Sequence, residues 1–157
     1  MKPASNPTAL RVQAALGPKF EVLEFEASTR TAADAAAAVD CSVGQIAKSI
    51  IFKAASGKPV LVVASGDNRV SAAKVAQAIS EEIGRADATF VRERTGFAIG
   101  GVPPVAHAEP VITLIDQDLA RFDRIWAAAG TPNAVFALTF ADLVALTSGT
   151  VADIAER

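Results

Sequence analysis

Short apolar runs separated by Gly, Pro, Asn and Ser fill the chain, and their period switches between that of a strand and that of a helix. Over 20–25, Phe20, Val22 and Phe25 interleave with Glu21 and Glu24 and predict a strand. The apolar runs 49–54 and 59–64 flank Ser56-Gly57-Lys58 and predict a β-hairpin. The continuous run 110–115 reads as a buried strand, and 133–138 and 150–155 as two more. Helical stretches lie between them. Asn6 caps a helix with Pro7 in its first turn, stopped by Gly17-Pro18. Thr31 caps the alanine run 32–39, and Ser42 opens a short helix that includes Ile46 and Ala47. Ser71 starts a helix reaching Ile83, with Val75, Ala78, Ile79 and Ile83 on one face and Gly84 as its stop. Asp87 caps another to Arg94. Residues 119–129 predict a helix with Phe122, Ile125 and Trp126 inward, ended by Gly130, and Thr139 caps a last one over 140–146.

Strands and helices interleave, but the hairpin and the close spacing do not suit a regular parallel βαβ sheet. The expected fold is α/β (α+β): a mixed, mainly antiparallel sheet curled into a barrel-like core, with helices packed outside. Its 157 residues suit one domain, 1–157, able to bury a single core. A hydrophobic fraction of 51% against 20% charged residues excludes a disordered chain. One cysteine rules out an internal disulfide framework and suits a reducing cytoplasm. No apolar run approaches the roughly 18 residues of a membrane span, and residues 1–16 lack the apolar stretch of a signal peptide, so a cytoplasmic protein with no membrane association is expected.

A net charge of −2 argues against non-specific binding to duplex nucleic acid. The charge is unevenly spread, with eight basic and five acidic residues over 48–94 but three basic and seven acidic residues after Arg94. The middle third is therefore the part suited to an anionic ligand.

The stretch 95–107 stands apart chemically. Gly100 and Gly101 allow positive φ and close approach to the main chain, while Pro103 and Pro104 stiffen the loop and remove two donors. His107, the one histidine, follows. It is the one candidate base for Cys41, which has no histidine near it in sequence and reads as structural. One Cys and one His nearly exclude a zinc site, so no metal and no cofactor are expected. Neither a G-x-G-x-x-G fingerprint nor a Walker sequence occurs.

Three segments together resemble one family. They are Thr31-Ala32-Ala33 to Ala37 ahead of Gln45-Ile46-Ala47-Lys48-Ser49-Ile50-Ile51-Phe52; Ala64-Ser65-Gly66-Asp67-Asn68-Arg69-Val70; and Thr95-Gly96-Phe97 leading to Gly100-Gly101-Val102-Pro103-Pro104, a G-x-x-x-P signature with Gly100 and Pro104 at its ends. In order and spacing they resemble the YbaK/ProX group of aminoacyl-tRNA editing proteins, which includes the editing domain inserted in bacterial prolyl-tRNA synthetases. The resemblance implies a compact fold around a small amino-acid pocket, and hydrolysis of mischarged tRNA in trans. It implies that Lys48 contacts the end of the tRNA and is needed for deacylation. Gly100 and Gly101 join Lys48 as catalytic candidates, holding side chain and ester against bare backbone. Ser49, Thr31, Pro104, His107, Asp153 and Ser148 are the substrate-binding candidates, with Thr31 better suited to a core or cap position than to the pocket and His107 equally suited to a structural role. The expected substrate is proline tRNA carrying alanine, 2-aminobutyrate or cysteine. Pro103-Pro104 followed by His107 looks less like the cysteine-specific members and leans towards a ProX-type member acting on alanine or 2-aminobutyrate. The expected partners are the acceptor end of aminoacylated tRNA and prolyl-tRNA synthetase, for a monomer or weak dimer. The alternatives are a non-catalytic module gripping the acceptor end or a synthetase, and a small-molecule esterase, for which no activated Ser or Cys is evident.

Overall fold

The structure is a computed structural model, and it describes residues 1–27, 29 and 31–157. Strand β1 (Lys2–Pro3) precedes helix α1 (Pro7–Leu16), whose N-terminus is set by Asn6 accepting the Thr8 N–H. Strand β2 (Val22–Glu24) follows, then α2 (Ala32–Val39), capped by Thr31. A 3₁₀ turn (Val43–Gln45) leads directly into β3 (Ile46–Ala54), which forms the hairpin with β4 (Pro59–Ser65). Helix α3 (Ala72–Ile79), strand β5 (Ile83–Arg85) and helix α4 (Ala88–Thr95) come next. After the Gly/Pro loop come β6 (Ile112–Asp116), a second 3₁₀ turn (Gln117–Arg121), β7 (Ile125–Ala128), β8 (Ala134–Leu138), α5 (Phe140–Thr147) and β9 (Thr150–Ala152).

The strands form one sheet in the order β1-β2-β8-β7-β3-β4-β6-β9, with β5 added to β3. Among the described residues five of the eight pairings are antiparallel, while β3·β7, β4·β6 and β6·β9 are parallel. The sheet is thus mixed and mainly antiparallel, and its strand order does not close into a ring. Alternation along the strands assigns the two faces. Leu61 and Val63 of β4 join Ile125, Ala127 and Phe136 in the central core, which α1, α4 and α5 cover through Val12, Val91 and Leu143. On the other face, Val60, Val62 and Ala64 pack under Val75 of α3. Ile46, Trp126 and Val135 pack under Ala35 and Ala36 of α2. Two helices therefore share that face, and β3 runs from beneath one to beneath the other.

Three helical expectations give way to strand. Ile46 and Ala47 belong to β3, not to a helix after Ser42. Gln45 accepts the Ser42 N–H and donates to the Arg124 carbonyl at 3.0 Å, which closes a single turn, and Ile46 and Ala47 then pair with Trp126 and Ala127. The helix after Ser71 stops at Ile79, because Ser80 takes a left-handed conformation at φ 59°. Ile83 and Gly84 instead pair with Ala54 and Lys53. Residues 119–129 split into the 3₁₀ turn and β7. Asp116 accepts the Asp118 N–H at 2.9 Å and holds the turn, and Ile125–Ala128 is then paired with β8 on one side and β3 on the other. Alanine's helix preference, a few tenths of a kcal/mol per residue, is small beside two rows of ladder bonds and a buried Trp126. Strand β1 had no signal in the apolar pattern.

Phe136 lies fully buried at the centre, 6.0 Å from the Phe20 ring in an edge-on contact. Phe136→Ala should cost ~3–5 kcal/mol, read from the urea midpoint at unchanged m-value.

Candidate functional site

The site begins with a change of partners along β3. One edge of β3 pairs with β4 from Ala47 to Lys53. The other edge pairs with β7 only through Ala47, and with β5 only from Phe52 onward. Between them β3 has no strand neighbour. The Ala54 N–H donates to the Lys58 carbonyl on the hairpin side. Strand alternation therefore turns the main-chain groups of Ser49 to the opposite edge, towards the gap.

Two cavities meet at that gap. One, of about 290 Å³, runs under α2 and is lined by Ala32, Ala35, Lys48, Trp126, Thr131 and Pro132, among others. The second, of about 420 Å³, runs towards α3 and β5, with Phe52, Ile83, Arg85 and Val91 in its wall. Both include Ser49, Ile50, Ile99, Gly100 and Val102, so the tip of the Gly/Pro loop lies across the gap in β3. Ile99 is a large apolar side chain left 59% exposed there.

Lys48 lines the first cavity and its ammonium is held. The Nζ donates to the Asn68 carbonyl at 2.6 Å and to the Gly66 carbonyl at 3.4 Å. A lysine ammonium has three donors, so one is left for a ligand. Burial pushes the Lys48 pKa down, and nearby Asp67 and Asp116 pull it partly back. The turn carrying those two carbonyls is itself pinned. Asp116, 0% exposed, accepts the Ser65 N–H at 3.0 Å and the Asn68 side-chain amide at 2.9 Å through one oxygen, and the Asp118 N–H through the other. Ser65 Oγ donates to the Gly44 carbonyl at 2.6 Å. Gly66 has no room for a side chain, since a Cβ would run into the Val43 carbonyl. The Asp118 carboxyl, held by Arg157 and then Asn68, is kept below the usual carboxylate range.

The two glycines of the loop do different work. Gly100 has φ +93°, has open space where a Cβ would stand, and lines both cavities. Its amide makes no main-chain hydrogen bond among the described residues outside helices and strands. Gly101, expected to face the substrate, instead turns into the fold. Its N–H donates to Ala98 and its carbonyl accepts the Gly130 N–H at 2.9 Å. A Cβ on it would lie 2.8 Å from the Gly130 carbonyl oxygen.

The other candidates divide. Ser49 lies at the gap, and its Oγ is the one buried side-chain oxygen or nitrogen without a hydrogen-bond partner among the described residues, an omission that costs ~1–3 kcal/mol. Thr31 is at the rim of the first cavity, with its oxygen committed to capping α2 through the Asp34 N–H at 3.1 Å. Pro104 and His107 line a third cavity with Glu109 and Thr147, not the one holding Lys48. The His107 Nε2 bonds the Pro103 carbonyl at 2.7 Å, and burial holds its pKa down, with that bond opposing. Ser148 is the left-handed cap of α5, and exposed Asp153 is held by Lys74 and Arg157. Neither lines a Lys48 cavity. Cys41 is apart as well, and burial followed by Asp40 raises its pKa, which makes it a poor nucleophile. No cluster of metal-ligating side chains occurs among the described residues.

The model of the aminoacyl-tRNA editing domain matches residues 26–146. The chain belongs to this family. YwhH of Bacillus subtilis (strain 168), itself uncharacterised, is 34% identical over 119 residues, 76% of each protein. A solved structure described as a "putative trans-editing enzyme for prolyl tRNA synthetase" is 44% identical with a TM-score of 0.93, over 98% of this chain and all of that one. The hypothetical protein APE2540 is 31% identical with a TM-score of 0.83, over 91% of this chain and 95% of that one. In this editing domain no helix among the described residues is long and apolar enough to cross a membrane.

Sequence reasoning missed Thr29, Thr131 and Pro132, which shape the first cavity where the Thr29 hydroxyl donates to the Pro132 carbonyl at 2.7 Å. It also missed Asp116, whose signal was an acidic residue ending an apolar strand. Asp116→Ala strands the buried Ser65 amide and removes one of the two carboxylates that hold the Asn68 side chain, and should lower stability by about 3 kcal/mol in chemical denaturation. Gly101→Ala should lower the melting temperature more than Gly100→Ala, whose cost is backbone strain alone, ~1–3 kcal/mol.

Proposed function

We propose that this editing domain is a trans-acting deacylase, hydrolysing the ester of proline tRNA mischarged with alanine, 2-aminobutyrate or cysteine. The observation that carries the reading is the Lys48 ammonium, fixed by two carbonyls with one donor spare, on a residue that lines one cavity with Ser49 and Gly100. An aminoacyl ester is already activated, so its hydrolysis needs a bound water, a held carbonyl and donors for the oxyanion rather than a side-chain nucleophile. Lys48 supplies a charged donor and Gly100 a main-chain donor. Pro104 stiffens the loop from behind. The substrate enters by its acceptor end, and prolyl-tRNA synthetase is the enzyme whose errors it removes, which the name carried by the 44% identical structure supports. A synthetase pocket separates small apolar side chains by only ~1–3 kcal/mol, and a second small pocket restores the difference. A non-catalytic tRNA-gripping module would not need an ammonium held at the burial cost Lys48 bears.

The test is deacylation of proline tRNA charged separately with alanine, 2-aminobutyrate, cysteine, serine and proline. Acceleration for the small non-cognate residues and not for proline is expected, and buffer rates for all of them overturn the reading. Lys48→Ala should lower kcat/KM by at least ~100-fold with the fold intact by circular dichroism. The pH profile gives a second check. Burial lowers the Lys48 pKa in the folded state below its unfolded value of ~10.4, so activity that needs the ammonium should fall on the alkaline side before the ordinary lysine range. Between those two pKa values the native state binds fewer protons at Lys48 than the unfolded chain. The stability contribution of this group therefore rises with pH where activity falls.

A further inference from the structure

Four residues of β3, Lys48 to Ile51, have no strand partner on this edge, and among them Ser49 turns both its N–H and its C=O to the gap. Ala47 is the last residue paired with β7, and Phe52 the first paired with β5. The Ser49 N–H and C=O face that interval, the Ser49 Oγ is buried without a partner, and Gly100 closes the far side with open space above its Cα. Strand edges with unpaired groups bind extended chains by completing the ladder. Ser49 and Gly100 line both cavities, so a ligand spanning the two passes this point.

We infer that Ser49 reads the aminoacyl group as a one-residue strand partner, and that the site therefore requires a free α-amine. The inference rests on the deacylase reading and names the chemical class of ester accepted. The Ser49 N–H donates to the acyl carbonyl. The Ser49 carbonyl and Oγ each accept one hydrogen of the α-amine, which satisfies the oxygen the fold leaves unpaired. An N-acylated amine has a single hydrogen and carries a bulky group towards the buried Oγ. N-acylaminoacyl and peptidyl esters are thus excluded, whatever their side chain.

The experiment compares the full-length protein acting on proline tRNA carrying alanine and on the same tRNA carrying N-acetylalanine. The expected result is a kcat/KM on the order of tenfold or more lower for the acetylated ester, from one unmade buried hydrogen bond and a steric conflict. Equal rates on the two esters overturn the inference and leave the deacylase reading standing. If neither ester is hydrolysed, the deacylase reading fails, and a binding measurement decides the inference. In ¹H–¹⁵N spectra, adenosine carrying alanine through a 3′-amide should shift the Ser49 amide, and its N-acetyl counterpart should not. Identical shifts from both, or none from either, overturn it. Ser49→Ala keeps the main chain but loses the hydroxyl, so it should slow the free-amine ester and leave the acetylated one unchanged; an equal slowing of both counts against the assignment.

Discussion

Strand β3 is shared by three neighbours, and the site exists because two of them do not meet. β4 holds one edge of β3 from Ala47 to Lys53, so the strand keeps its ladder without help from the other side. β7 arrives parallel and leaves after Ala127, while β5 arrives antiparallel from the opposite end. A sheet interior is normally the place where backbone donors and acceptors are exhausted. Here the handover leaves main-chain groups of half-buried Ser49 without a strand partner, and no loop is needed to carry them. They inherit the rigidity of the hairpin, which suits a site that must hold an ester carbonyl and a water in fixed relation.

The same economy governs Lys48. A half-buried ammonium is unfavourable unless acceptors meet it, and the acceptors here are carbonyls of a turn rather than a carboxylate. A direct ion pair would neutralise the charge where a developing oxyanion needs it. The carboxylates that balance it, Asp67 and Asp116, act from a distance, and Asp116 spends its own lone pairs on the Ser65 amide and the Asn68 side chain. The charge is therefore positioned by a buried carboxylate that does not touch it. This is also why Gly66 must be glycine, since the turn is pressed against the Val43 carbonyl.

How much of this was legible in the sequence depended on whether the controlling interaction was local. Helix starts were read correctly at Asn6, Thr31, Asp87 and Thr139, because each cap is a side chain bonding an amide two or three residues on. The hairpin at Ser56-Gly57-Lys58 was legible for the same reason. Trp126, Ala127 and Ile83 were misread as helical, because their conformation is decided by β3, which lies far away in sequence. Lys48, Ser49 and Gly100 were found from a resemblance in motif order, and they do share one cavity. Pro104 and His107 follow Gly100 closely in sequence, but the chain turns between them, and His107 bonds back to Pro103 on the far side of the loop. Sequence proximity marked the right loop and could not say which residues face inward.

The pair Gly100-Gly101 shows the limit most sharply, because one residue type serves two unrelated constraints. At Gly101 the constraint is room: the main chain of Gly130 and Thr131 is packed where a Cβ would stand, and the Gly101 carbonyl takes the Gly130 amide. That contact ties the loop to the end of β7, the strand whose departure opens the gap. At Gly100 the constraint is conformation, with φ +93° turning the chain so that its amide is free beside the cavity. The loop can present one glycine to a ligand because the other is locked into the fold. A substitution at either would reach the same chemistry, through main-chain strain at Gly100 and through displacement of the entire loop from β7 at Gly101.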